Sequence, residues 1–290
     1  MLSKPPANKS FLLPRAGRLF FKKEALALLL LPFLLFLPAS APVAEHVVIP
    51  EAGGVRLQAL LFLPRVVTAP GVVALHGCAG PLPRRDYGWA RLLAGQGHAV
   101  LLPDSFASRG LPGECKETAH AASAYTARRG DALAAAEWLE ARGLAPAGGV
   151  LLLGWSDGGT TVLASVGPGT PEGLIRGAVA FYPACARTEE DAGWRSEVPL
   201  LILMGALDDW TPPAPCLALA RRESNVRMAL LPGAYHDFDV PDDPVHEISG
   251  LPYTKTGGGV AHAGEDPAAR AQALLMVPAF FKTLPPAAAR

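Results

Sequence analysis

The chain has no surplus of charge. Its 26 Lys and Arg balance 26 Asp and Glu, and charged residues are only 18% of the sequence. No basic patch or like-charge run accompanies them. That excludes the electrostatic footprint of a nucleic-acid binder and gives no sign of an acidic partner. Cysteine is scarce: the four are Cys78, Cys115, Cys185 and Cys216, and none lies in a CxxC pair. The seven histidines are scattered. Zinc-type ligand spacing is therefore absent, and no metal site is assigned. There is no internal repeat, which leaves out solenoids and propellers. Proline and glycine are plentiful, at 29 and 30, but they are spread through loops and do not form low-complexity tracts.

Long apolar runs are also missing, with one exception near the start. Lys4, Lys9, Arg15, Arg18, Lys22 and Lys23 form a basic leader, Ala25 to Leu37 is almost wholly apolar, and Ala39-Ser40-Ala41 follows. This is the layout of an export signal, so residues 1–44 are read as a signal peptide. Pro42 disfavours cleavage directly before it and makes cleavage after Ala44 the alternative. The apolar core is shorter than the ~20 residues of a comfortable span and contains Pro32. The rival reading is an uncleaved N-terminal anchor, and membrane contact is expected only through this segment. A periplasmic or secreted location follows. An even cysteine count in an oxidising compartment suits disulfides. Four cysteines allow three pairings, and four buried free thiols are the competing reading.

Residues 45–290 are long enough for one sizeable α/β domain. His46–Pro50 and Val55–Pro64 read as a strand hairpin. Short apolar strands follow at Val72–Leu75, His98–Pro103, Val150–Leu153, Gly177–Tyr182, Leu200–Met204 and Arg227–Leu231. Helical patterns separate them at Asp86–Gly95 and Thr118–Gly143, and a last one starts at Asp266-Pro267. Continuous apolar strands alternating with helices predict a mostly parallel central sheet covered on both faces. Ligands bind such sheets at the carboxyl ends of the strands. Cys185 and Cys216 follow two consecutive strands, as do Cys78 and Cys115. Those two pairings are the expected disulfides.

The chemistry is carried by Gly154-Trp155-Ser156-Asp157-Gly158, directly after the apolar run Val150–Leu153. G-x-S-x-G at a strand end is a nucleophile elbow, a sharp turn that holds a serine hydroxyl above the sheet. A serine needs a base, and the base needs an orienting group. After an elbow serine, the chain order is Ser, acid, His. Asp208 and Asp209 follow one strand end, and His236 follows the next; His246 and His262 are alternatives farther on. An oxyanion hole requires two backbone N–H groups. These are assigned to Asp157, at a helix N-terminus, and to Cys78 in the loop His76–Gly80. His76 precedes the serine and is read as a brace of that loop.

These residues resemble the α/β-hydrolase superfamily, and more closely its dienelactone hydrolase family. The segments that carry the likeness are Leu75–Gly80, Pro103–Phe106 with Arg109-Gly110, Gly154–Gly159, Gly205–Asp208 with Pro212, and Tyr235–Phe238. The resemblance implies an α/β-hydrolase fold over the whole of 45–290. It selects Asp208 over Asp209, because the family acid lies in G-x-x-D with proline four residues on. It supports His236, which with Phe238 matches the family's H-x-F. The enzymes that give the family its name use a cysteine nucleophile and place a glutamate in the oxyanion loop; here those positions are Ser156 and Gly77. The family holds a substrate carboxylate with arginines. That implies Arg109, one residue out of register, as a substrate contact, with a structural loop ion pair as the alternative; Trp155, Phe106, Trp210 and Tyr235 are candidates for an aromatic pocket, with core packing as the alternative. The expected function is hydrolysis of a small-molecule carboxylic ester through an acyl-enzyme, with no cofactor. An amide hydrolase on the same fold and a non-enzymatic binding protein are the rivals. Oligomeric state is not legible.

Overall fold

The structure is a computed structural model and describes residues 43–285, apart from 53 and 147. Most of the segment read as an export signal lies outside these residues. Among the described residues, no helix is long and apolar enough to cross a membrane.

The chain opens with the expected hairpin, β1 (Val43–Ala52) and β2 (Val55–Leu63). Then follow β3 (Val72–Leu75), α1 (Pro83–Ala94), β4 (Val100–Asp104), α2 (Ala127–Ala141), β5 (Val150–Trp155), α3 (Asp157–Ser165) and β6 (Ile175–Phe181). After these come α4 (Ala186–Glu190), β7 (Leu200–Gly205), α5 (Pro213–Arg222), β8 (Val226–Leu231), β9 (His246–Ser249), β10 (Val260–Ala263) and α6 (Pro267–Thr283). Eight strands form one sheet in the order β1-β2-β4-β3-β5-β6-β7-β8. β2 runs antiparallel to β1 and β4, and every pairing from β4 to β8 is parallel. Helices cover both faces. Every residue of the inner strands β3, β5 and β7 is buried, which is why they read as unbroken apolar runs. The fold class is the one expected from the sequence. At α6, Asp266 accepts from the Ala269 N–H at 2.8 Å, and Pro267 takes the first helical position, where its missing N–H costs nothing.

Two elements differ from the sequence reading. The long helix expected over Thr118–Gly143 begins only at Ala127. Upstream, the backbone N–H groups of Ala121 and Ala122 donate to the Glu114 carboxylate at 2.6 and 3.1 Å, so they are withdrawn from any helical ladder. The β9–β10 hairpin was not anticipated. Its β9 strand is short and largely exposed, so it lacks an apolar pattern.

Gly158, near the start of α3, sits hard against β3. A Cβ there would collide with the backbone carbonyls of Leu75 and His76, and one on Gly154 would collide with the Gly158 carbonyl. Gly88 in α1 is the opposite case, with nothing within 4 Å of an added Cβ. Gly158→Ala is therefore expected to lower stability by more than about 3 kcal/mol. Gly88→Ala is expected to raise it by about 0.5–1 kcal/mol through helix propensity. Urea unfolding midpoints of the two variants check both signs.

Candidate active site

The elbow forms where β5 ends against α3. Ser156 adopts φ 54° and ψ −117°, a conformation that a non-glycine residue keeps only when its surroundings over-determine it. Its N–H is tied to the Phe181 carbonyl at 2.9 Å. The nearly buried hydroxyl, with the residue 8% exposed, faces His236.

The three residues expected to act together do meet. Ser156 Oγ lies 2.9 Å from His236 Nε2, and His236 Nδ1 lies 2.8 Å from Asp208 Oδ2. Asp208 follows β7 and His236 follows β8, so both side chains come from the carboxyl edge of the sheet. The second oxygen of Asp208 accepts the backbone N–H groups of Trp210 and Thr211 at 3.0 and 2.8 Å. The imidazole is held between the Tyr182 and Trp210 rings, at centroid distances of 4.5 and 4.8 Å. Burial by itself pulls the imidazolium pKa down. The charge and hydrogen bond of Asp208, helped by Asp237, outweigh it, and the His236 pKa lies above its ordinary value.

Asp209 has another partner. Its carboxylate binds the His262 N–H at 2.8 Å and His262 Nδ1 at 2.7 Å, and its carbonyl accepts the Lys255 N–H at 2.9 Å. It thus anchors the β9–β10 hairpin. His262 is occupied there, and exposed His246 bonds the Pro244 carbonyl. Neither reaches the serine.

His76 is a brace, as the sequence suggested. Its Nε2 accepts the Ser105 N–H at 3.2 Å, and its Nδ1 lies 2.8 Å from the Gly77 carbonyl. Burial, together with the nearby Arg128 charge, holds its pKa well below the usual value, so the ring is neutral and bridges the two loops. Both expected disulfides are present. Cys78 bonds Cys115 and Cys185 bonds Cys216, with Cα separations of 4.8 and 5.1 Å.

A cavity of about 490 Å³ opens beside Ser156. Asp157, Cys78, Cys185, Trp210 and Tyr253 are among its walls. Asp157 opens α3, so its N–H has no carbonyl one turn back. Among the described residues, nothing accepts from the Cys78 N–H. The Cys78 carbonyl is held by the Glu114 N–H at 2.7 Å, and the Asp157 carboxylate pairs with Arg128. Gly77 lies against the nucleophile: a Cβ there would be in van der Waals contact with Ser156 Cβ and the Trp155 carbonyl, both at 3.6 Å.

Two candidate substrate contacts are corrected, each in favour of its structural alternative. Arg109 spends its fork on buried Asp131, at 2.7 and 2.9 Å, and is not in the cavity wall. Trp155 is fully buried under the elbow, its Nε1 donating to Asp239 Oδ2 at 2.9 Å. Phe106 is buried as well, and Tyr235 packs on His262. Of the proposed aromatic wall, only Trp210 lines the cavity.

Sequence reasoning missed Thr211, whose hydroxyl lies 3.1 Å from both His236 Nδ1 and Asp208 Oδ2. Its spacing from Asp208, D-x-x-T in a turn, was the available signal. It also missed Asp239, which accepts from Trp89 Nε1 at 2.8 Å and from the Tyr182 hydroxyl at 2.6 Å. Those partners are too distant in sequence to be seen.

The model of the dienelactone hydrolase family matches residues 57–284. The chain belongs to the dienelactone hydrolase family. With its buried triad, it is a carboxylic ester hydrolase of that family with serine as nucleophile. Solved structures of low identity share the fold. A dienelactone hydrolase-like promiscuous phosphotriesterase from metagenomic libraries aligns at TM-score 0.62 and 21% identity, over 84% of this chain and 99% of that one. An acylaminoacyl peptidase of Pyrococcus horikoshii aligns at TM-score 0.60 and 15% identity, over 86% of this chain and 43% of the peptidase. Est1E of Butyrivibrio proteoclasticus aligns at 0.50 and 19%, over 66% and 90%. No curated protein sequence matches the chain.

Asp208→Asn is expected to lower kcat about ten-thousand-fold. Asp209→Asn instead loosens a cavity wall and should act mainly on KM; steady-state kinetics of both variants read the split. The raised His236 pKa fixes the pH response. The base works only when neutral, so kcat/KM should fall on acidification with a midpoint above about 6.5. Asp208→Asn should move that midpoint down in whatever activity remains.

Proposed function

We propose that this protein hydrolyses a small carboxylic ester outside the cytoplasm. The observation that carries the reading is the unbroken line of hydrogen bonds from Ser156 through His236 to Asp208, set beside an accessible cavity. Ser156 Oγ attacks the ester carbonyl while His236 Nε2 takes its proton. Asp208 holds the Nδ1 proton and stabilises the imidazolium. The oxyanion accepts from the Asp157 and Cys78 N–H groups. Their fixed surroundings support this role: Asp157 is tied to Arg128, and Cys78 is tied by the Cys115 disulfide and the Glu114 amide. The intermediate collapses and His236 returns the proton to the departing alcohol. Water then repeats the sequence and frees the acid. Gly77 supports a conventionally activated serine, since no carboxylate stands at that position to hold the nucleophile at rest.

Two disulfides, with no free cysteine among the described residues, support export to an oxidising compartment. The small cavity and the continuous α/β core support a small substrate. Ser156→Ala is expected to lower turnover of a chromogenic ester by about a hundred-thousand-fold or more, and to abolish labelling by a fluorophosphonate, with the thermal unfolding midpoint unchanged. Full activity in the folded variant would sink the assignment. A matched anilide turned over faster than the ester would make the protein an amide hydrolase.

A further inference from the structure

The cavity beside Ser156 is charged in one sense. Among the described residues that line it, the charged ones are the carboxylates Glu114 and Asp157; none is lysine or arginine. Three arginines of the surrounding elements are engaged elsewhere. Arg128 pairs with Asp157, Arg85 with Asp86 and Asp237, and Arg109 with Asp131. Asp157 is thereby neutralised.

Glu114 is not. It is 3% exposed, and its carboxylate accepts only the neutral N–H groups of Ala121 and Ala122. No Lys, Arg or His nitrogen among the described residues comes within ion-pair distance. The Glu114 carboxylate is thus the acidic group of the cavity wall that has no cationic partner among the described residues. Lys116, Arg187 and Lys255 adjoin lining residues in sequence, but all three are exposed, where solvent and salt screen them. His120 also lines the cavity, partly buried. Trp210 and Tyr253 add aromatic surface, which accepts an apolar or a cationic group alike.

Resting on the esterase reading above, we infer that this cavity takes esters whose body is uncharged or cationic and rejects those that carry a second carboxylate, and that Glu114 sets the preference. The arginine-held carboxylate implied by the family resemblance has no counterpart here, because Arg109 is locked onto Asp131. A substrate carboxylate about 5–8 Å from Glu114 meets a repulsion worth roughly 30- to 300-fold in kcat/KM at an effective dielectric of about 20.

The test uses three p-nitrophenyl esters of equal chain length: hexanoate, adipate monoester and 6-(trimethylammonio)hexanoate, corrected for spontaneous hydrolysis. The expected kcat/KM for the adipate ester is at least about tenfold below the hexanoate, with the ammonium ester equal to or above it. An adipate ester cleaved within about threefold of the hexanoate, or faster, overturns the inference. Glu114→Gln keeps a carbonyl oxygen for the Ala121 and Ala122 N–H groups and removes the charge. The readout is the hexanoate-to-adipate ratio, in which any general loss from a loosened loop cancels. Narrowing of that ratio by about fivefold or more supports Glu114 as the determinant, and an unchanged ratio removes it from that role. The wild-type series stands alone if the variant does not fold. Failure to cleave any of the three esters strikes the esterase reading and not this one. Calorimetric binding of the intact esters to Ser156→Ala protein then reads the same charge order without turnover.

Discussion

One buried carboxylate underlies the carboxyl edge of the sheet. Asp239 gathers three donors, Trp89 from α1, Trp155 from β5 and the Tyr182 hydroxyl just after β6. Burial raises its pKa, and the nearby Arg85 charge works against that rise. The guanidinium of Arg85 in turn bonds the Tyr182 hydroxyl and Asp237 and lies over the Trp155 ring. The nucleophile's strand, the ring that supports His236, and the loop that carries His236 are thus fastened to one point. Such a network stabilises only while every member is satisfied, because an orphaned charge in that interior costs far more than a lost contact. The strained backbone of Ser156 can persist above it because so little beneath is free to move.

Legibility in the sequence followed the range of the interactions. Ser156 was readable because the elbow is local: an apolar strand, a small-residue turn and a helix start stand side by side. Asp208 and His236 were placed by chain order and family spacing, since each follows a strand end. Neither logic identifies a long-range partner. Arg109 could be read as a substrate contact or as an ion-pair partner, and the sequence did not decide because Asp131, which occupies it, lies in α2. Trp155 looked like a substrate wall because nothing nearby announces Asp239. In the overextended second helix, apolar periodicity was real only from Ala127; upstream, the Glu114 carboxylate had already claimed the backbone donors.

The two disulfides lie where the chemistry needs fixed loops. Cys78–Cys115 joins the loops after β3 and β4, and Cys185–Cys216 joins the loop after β6 to the helix after the acid. Cross-links of this kind act chiefly by restricting the unfolded chain. Cys78–Cys115 also pins two segments that carry no regular structure, and Cys185–Cys216 fastens a helix start to α5, so the cavity wall is held by covalent bonds at both places.

The tether from Asp209 to the β9–β10 hairpin has a meaning beyond geometry. Residues 250–259 between those strands supply Pro252, Tyr253, Thr254 and Gly257 to the cavity, while the hairpin ends are clamped through His262 and Ala263 to the catalytic loops. Between fixed ends, a surface loop tolerates changes of length and composition at small entropic cost. This stretch of the cavity wall can therefore change while the triad stays as it is. Asp209, one residue from the triad acid, is the seam between that loop and the catalytic machinery.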